Sequence, residues 1–188
     1  MDLGWYDNMD YHLTLPVKVE VLRNLRVNDV LYVTGKIFTA RDKAHMKMQE
    51  MQPQDLPFDP SGMALYHCGP LMKQMNGKWC ALSAGPTTSA RMEEFEDSVL
   101  DRFGFHMIIG KGGMGKRTLE ALKKTGSVYA AFPGGAGVLA AEKIRNVVHV
   151  YWLEELGMPE AVWVFDVFEF GPLIVAMDSA GHSLYKNL

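Results

Sequence analysis

A chain of 188 residues and 21.1 kDa is expected to build one core, and its 48% apolar and 22% charged residues exclude a disordered polymer. Lys and Arg total 19 against 22 Asp and Glu, a net charge of -3, which argues against nucleic acid as the main partner because a phosphate backbone demands a basic face. The mean hydropathy of -0.06, with no apolar run near about 18 residues, excludes a membrane-spanning helix. The opening MDLGWYDNMD shows no basic or apolar leader. Two cysteines, Cys68 and Cys80, beside 13 methionines fit a reducing cytoplasm, and two thiols cannot complete a four-cysteine metal site.

No repeat or low-complexity segment interrupts the chain. An alternating stretch over 11–17, cut by Pro16, reads as a first strand. VLYVTGKIF over 30–38 reads as a stronger one, launched from the Asn28-Asp29 turn. A helix follows over 42–51, then a Pro-rich loop over 52–62 that leaves the main core. Short strands are expected over 64–67 and 79–83. From residue 84 the pattern turns to strand–loop–helix units. A helix over 90–102 puts Met92, Phe95, Val99 and Phe103 on one stripe. A strand over 105–109 feeds the glycine-rich 110–115 and a helix over 117–124, which ends with Lys123, Lys124 and Gly126. A strand over 127–132, a second glycine loop over 133–137 and a helix to about residue 144 come next. Strands over 147–152, 161–168 and 173–177 close the pattern, with a turn over 178–181. Alternating strands and helices in the middle imply parallel pairing, and the flanking strands imply a mixed sheet: an α/β fold, with residues 1–188 as a single domain.

Gly110-Lys111-Gly112-Gly113-Met114-Gly115 matches GxGxxG between an expected strand and helix, the context of a dinucleotide site. That fingerprint also wants an acid at the end of the next strand, where Ala130-Ala131-Phe132-Pro133 has none. The same residues nearly spell a Walker A loop, but Arg117 replaces the hydroxyl residue that binds magnesium, and Thr118 comes one place late. A tight turn packing helix on sheet also explains the glycines, alone or together with anion binding.

Helix first turns favour acids, because the N-terminal dipole is positive. This chain puts cations there: Arg41 and Lys43 after the second strand, Arg91 after Gly85-Pro86-Thr87-Thr88-Ser89, and Lys111, Lys116 and Arg117 around the glycine loop. Such a cation suits a bound anion to which side chain and backbone both donate. Three junctions of this kind at strand ends point to a small polyanion such as a dicarboxylate; the alternative is scattered surface charge. Thr87, Thr88 and Ser89 also have two readings. They are N-caps of the helix that follows, or hydroxyls whose alkoxide Arg91 stabilises for proton transfer.

Gly85-Pro86-Thr87-Thr88-Ser89-Ala90-Arg91-Met92, Lys111-Gly112-Gly113-Met114 and Thr39-Ala40-Arg41-Asp42-Lys43-Ala44-His45 together resemble the C-terminal half of class I (iron–sulfur) fumarases. That family includes the separate β subunit of L-tartrate dehydratase. The likeness covers nearly the whole chain and keeps the three blocks in order. It implies a swivelling β/β/α-type fold and a hydro-lyase that interconverts (S)-malate and fumarate, or else an L-tartrate dehydratase β subunit. It also implies a 4Fe-4S cluster held by three cysteines of an α subunit, with none bound by this chain alone. The open iron of that cluster takes the substrate hydroxyl and one carboxylate as a Lewis acid. Carried over by position, Arg41, Arg91 and Lys111 clamp the carboxylates of a small dicarboxylate substrate, Thr87 abstracts the proton, and Thr88 helps to shape the site. The implied assembly is a cytoplasmic heterotetramer of two α and two β chains, with no nucleic-acid or membrane partner. A non-catalytic anion-binding module of the same fold is the alternative from a different class.

Cys68 reads as a buried thiol, with approach to the cluster as the other possibility, and Cys80 reads as core. His45 either orients Arg41 or is exposed. His12, His67, His106, His149 and His182 show no metal-ligand spacing. Asp42 has Lys43 and Lys111 as candidate ion-pair partners. A partner requires an apolar docking face, to which Trp5, Tyr6 and some methionines would contribute. Gly134-Gly135-Ala136 reads as packing.

Overall fold

The computed structural model describes residues 9–133 and 137–185. In chain order it runs β1 (Asp10–Thr14), α1 (Val19–Leu22), β2 (Val30–Thr39), α2 (Asp42–Gln49), β3 (Ala64–Tyr66), β4 (Leu71–Met75) and β5 (Lys78–Ser83). Then follow α3 (Glu93–Phe103), β6 (Met107–Gly110), α4 (Lys116–Thr125), β7 (Val128–Ala131), α5 (Gly137–Glu142), β8 (Ile144–Tyr151), α6 (Leu153–Leu156) and β9 (Val162–Met177). Trp5, Tyr6 and Gly134-Gly135-Ala136 lie outside the described residues.

Seven strands share one mixed sheet in the order β1-β2-β3-β6-β7-β9-β8, and β9 also pairs with β2, so that β2, β3, β6, β7 and β9 close into a 5-strand barrel. The middle pairs, β2–β3, β3–β6 and β6–β7, are parallel, as the alternating pattern predicts. Closure is the part that the pattern does not predict. It depends on β9, which is one 16-residue strand where Gly171-Pro172 reads as a break between two. Pro172 falls inside a register shift of the β2–β9 ladder, between the Leu31↔Leu173 and Val33↔Phe170 pairs. No ladder N–H is needed from it there, so the proline bends the strand instead of ending it. Gly171 lets β2 approach, since a Cβ at that position would lie 2.5 Å from the Leu31 carbonyl oxygen.

Closure also explains the uninterrupted apolar runs. Ala64 and Tyr66, Met107 and Ile109, and Val128 and Ala130 pack into one core with Trp163, Phe165 and Phe170. Their alternates Leu65, Ile108 and Tyr129 pack into a second core with Met48 of α2, Phe95 and Val99 of α3, and Leu122 of α4. Each strand is therefore buried on both faces, which is why strict alternation is missing from its sequence. The predicted α3 stripe of Met92, Phe95, Val99 and Phe103 is buried throughout. The predicted stop of α4 is also present, with Gly126 left-handed at φ 74° and its N–H bonded to Leu122 O.

β4 has no counterpart in the sequence reading. It pairs with β5 through Asn76-Gly77, which have φ of 51° and 76°, the left-handed pair of a two-residue hairpin turn. Cys80 sits in this hairpin half-exposed, not in the core as expected.

Candidate active site

Because β2, β3 and β6 are parallel, their carboxyl ends share one edge. The ladder continues past them: Ala40 N–H donates to Tyr66 O (3.1 Å) and His67 N–H to Ile109 O (2.8 Å). This places Arg41, Cys68 and Lys111 beside one another at the strand ends. The segment after β5 then lies across that edge. Cys68 bridges Pro86 and Thr88 bridges Lys111, while Thr87 N–H donates to His67 O (2.8 Å) and Ser89 N–H to Lys111 O (2.9 Å). Segments far apart in the chain become neighbours this way, as the Thr88–Lys111 bridge and the Thr87–His67 bond show.

The cations here are held in different ways. Asp42 takes Arg91 bidentately, Oδ1 from Nε at 3.1 Å and Oδ2 from Nη2 at 2.6 Å. It pairs with neither Lys43 nor Lys111, the partners considered for it. Arg41 Nε lies 3.2 Å from Glu160 Oε1 and 3.9 Å from Asp42 Oδ2. Its guanidinium lies over Gly69, where a Cβ would meet Nη1 at 2.6 Å. Lys111 is exposed and makes no ion pair among the described residues. The site is an open edge. Two clefts of about 580 and 630 Å³ lie elsewhere, and neither is lined by Arg41, Thr87, Arg91 or Lys111.

The cap reading of the hydroxyls fails. Thr88 precedes the short 3-10 turn Ser89–Met92 without a side-chain cap bond, and Thr87 Oγ1 has no partner among the described residues. The phosphate reading of the glycine loop fails for a related reason. Glu93 Oε2 accepts Gly115 N–H (2.6 Å) and the Thr118 hydroxyl (2.6 Å), and Oε1 accepts Thr118 N–H (3.2 Å). An internal carboxylate thus already occupies the N-terminus of α4, where a phosphate would bind. Arg117 turns away to Asp97 (2.8 Å).

Beneath the edge lies a cluster that the sequence spacing does not show. His45, His67, Ser89 and Glu96 have no solvent exposure. His45 is thus buried, not exposed, and its Nδ1 donates to Arg41 O (2.9 Å). Glu96 Oε2 is 2.9 Å from His67 Nε2 and 3.4 Å from His45 Nε2. Burial alone pushes the Glu96 carboxyl up, but the imidazoles outweigh it and hold the group down at about 2. Burial lowers His67 against the opposing pull of Glu96. His45, His67 and Glu96 each offer one ligand atom within 4.8 Å of the others, a spacing compatible with a metal ion. The His67–Glu96 hydrogen bond accounts for the pair without one.

The thiols do not fit an iron–sulfur ligand set. Cys68 is fully buried, and burial pushes its thiol well above the usual range, so the thiolate that a cluster needs is disfavoured. Cys80 is the sole other thiol and lies in the separate β4–β5 hairpin.

The fold is thus an α/β barrel with arginines, a lysine and threonines at the carboxyl ends of its parallel strands. A family model described as the fumarase C-terminus matches residues 7–188, and the chain belongs to that family. It is 47% identical over 182 residues to a Methanocaldococcus jannaschii protein named "Putative L(+)-tartrate dehydratase subunit beta", covering 96% of this chain and 93% of that one. It is 44% identical to the L(+)-tartrate dehydratase subunit beta of Escherichia coli K12, covering 92% and 85%. A Geobacillus stearothermophilus protein named "Putative fumarate hydratase class I" is 42% identical over 177 residues, and there the match spans 94% of this chain but 34% of the relative.

Proposed function

We propose that this chain is the β subunit of an iron–sulfur hydro-lyase and that its carboxyl edge serves the reversible dehydration of (S)-malate to fumarate. The observation that carries the reading is that one edge joins the blocks: Thr88 bridges Lys111, Thr87 N–H bonds the backbone of His67, and Asp42, next to Arg41, grips Arg91. A 2-hydroxy-dicarboxylate is a dianion, and removing a proton beside one carboxylate puts a second negative charge on that carboxylate. Arg41, Arg91 and Lys111 bind the carboxylates and stabilise that charge where it develops. Thr87 takes the proton, and Thr88 shapes the site. A hydroxyl is a weak base, and the neighbouring cations help by favouring its alkoxide.

The cluster belongs to an α subunit, where it supplies Lewis-acid chemistry to the leaving hydroxyl. An open edge suits a site that a partner completes. The β4–β5 hairpin and α5 expose Leu71, Met75, Leu82, Val138 and Leu139, and this surface receives the α subunit. Two α and two β chains make the assembly, and the free thiols suit the cytoplasm.

L(+)-tartrate is the second reading for the substrate, favoured by the names of relatives matched over most of their length. The test is anaerobic reconstitution with the α subunit, followed by assays on (S)-malate, fumarate and L(+)-tartrate. Turnover by the complex and none by this chain alone is the expected result. Failure of all three substrates with an intact cluster would remove the reading.

A further inference from the structure

Glu96, His67, Ser89 and His45 fill space beneath the edge where apolar side chains would carry no desolvation penalty. Their hydrogen bonds run outward to the backbone of three candidate substrate residues. His45 Nδ1 donates to Arg41 O (2.9 Å). His67 O accepts Thr87 N–H (2.8 Å). Ser89 Oγ accepts Lys111 N–H (3.1 Å). Inside the network His67 and Ser89 are paired, while His45 Nε2 and Glu96 Oε1 have no hydrogen-bond partner among the described residues. His67 Nε2–H donates to Glu96, leaving Nδ1 of the neutral ring to accept the Ser89 hydroxyl at 2.9 Å. Ser89 Oγ then accepts Lys111 N–H, and the Tyr129 hydroxyl, 3.0 Å away, gives its proton to Gly112 O at 2.7 Å. Even Gly110 is shaped to admit Ser89, since a Cβ there would collide with Ser89 Oγ.

We propose that Glu96, His67, Ser89 and His45 act as one positioning relay, which holds Arg41, Thr87 and Lys111 in register around a 2-hydroxy-dicarboxylate. The inference rests on the hydro-lyase reading above. A displacement of about 1 Å at a reacting group costs on the order of 10²-fold in rate, so the relay acts through geometry and touches no substrate. Its members work as a unit, and losses from single changes therefore do not multiply.

The test uses the reconstituted α/β complex, with kcat/KM measured on (S)-malate and L(+)-tartrate and the Kd of both acids measured by calorimetry. Ser89→Ala and Glu96→Gln should each lower kcat/KM by roughly 10- to 100-fold, with assembly intact. The double variant should fall no further than the worse single one. Tyr129→Phe removes one hydroxyl, which touches Ser89 and donates to Gly112 O beside Lys111, and guards against a failure to fold; its loss should be smaller than that of Ser89→Ala and should shrink in that background. Losses that multiply, or unchanged kcat/KM and Kd in Tyr129→Phe and Ser89→Ala, overturn the relay. Binding without turnover by the unaltered complex refutes the hydro-lyase reading, and the relay is then judged on Kd by the same criteria. Neither binding nor turnover overturns both.

Discussion

Asp42 at the start of α2 grips Arg91 in the turn before α3, with Oδ2 2.6 Å from Nη2 and Oδ1 3.1 Å from Nε. This fixes the plane of the guanidinium and commits two of its nitrogens, leaving the Nη1 donors for an anion.

Lysine cannot reproduce that fork. Arg91→Lys should lower kcat/KM of the reconstituted enzyme by on the order of 10²- to 10³-fold, by analogy with the loss of an oxyanion donor. Asp42→Asn keeps the arginine but loosens its plane and should cost less. Steady-state kinetics on the preferred acid decides, and a near-normal Arg91→Lys would end the clamp assignment.

The Thr87 hydroxyl has no partner among the described residues, and its backbone is already tied to His67. Thr87→Val should therefore leave the fold and KM nearly intact while kcat falls by roughly 10²- to 10⁴-fold, the range of a lost proton-transfer group. Solvent isotope exchange at the substrate carbon supplies an independent readout. Persistence of that exchange in the variant would move the role elsewhere.

Glu93 caps a helix other than its own, through Gly115 and Thr118 at the N-terminus of α4. Glu93→Ala should cost about 1–2 kcal/mol in urea unfolding, the size of a lost cap. Calorimetry with ATP or NAD should show no binding to the unaltered complex. Heat from a stoichiometric nucleotide site would overturn the assignment of those donors to Glu93.

Acid should destabilise the chain through its buried cluster. Glu96 is held at about 2, against an ordinary value of 4.5. Its contribution is therefore complete above about pH 4.5 and is lost as pH falls toward 2. His67 is lowered from 6.5, so the unfolded chain binds its proton first and stability drops as pH falls below that value. Urea unfolding between about pH 7 and pH 3 should show a flatter decline for Glu96→Gln than for the unaltered chain. Parallel curves would contradict the linkage.

What could be read from the sequence was local. The stripe from Met92 to Phe103, the Gly126 stop and the three cation-bearing junctions each follow from a periodicity or from a charge that opposes a helix dipole. The meeting of Arg41 with the 87–91 segment is not local, and the likeness to fumarases pointed to it where spacing could not. The buried cluster was missed because His45, His67 and Glu96 come from α2, the end of β3 and α3, at intervals that match no ligand motif. Its one local trace is a histidine and a glutamate on the inward faces of otherwise amphipathic helices. Barrel closure was missed because Gly171-Pro172 normally signals an end, and here a bulge absorbs it. The β4 strand, by contrast, had its Asn76-Gly77 signal in plain view beside an unremarkable strand composition.

The long final strand bears on how the molecule is made. β9 pairs Phe165 with Ile37 and Leu173 with Leu31, contacts that no emerging chain can form until β9 itself has left the ribosome. Such distant pairing slows folding. The loops that follow β2, β3 and β6 are thus synthesised well before the ring that braces them can shut, and a partner that docked on the nascent chain would meet them unsupported.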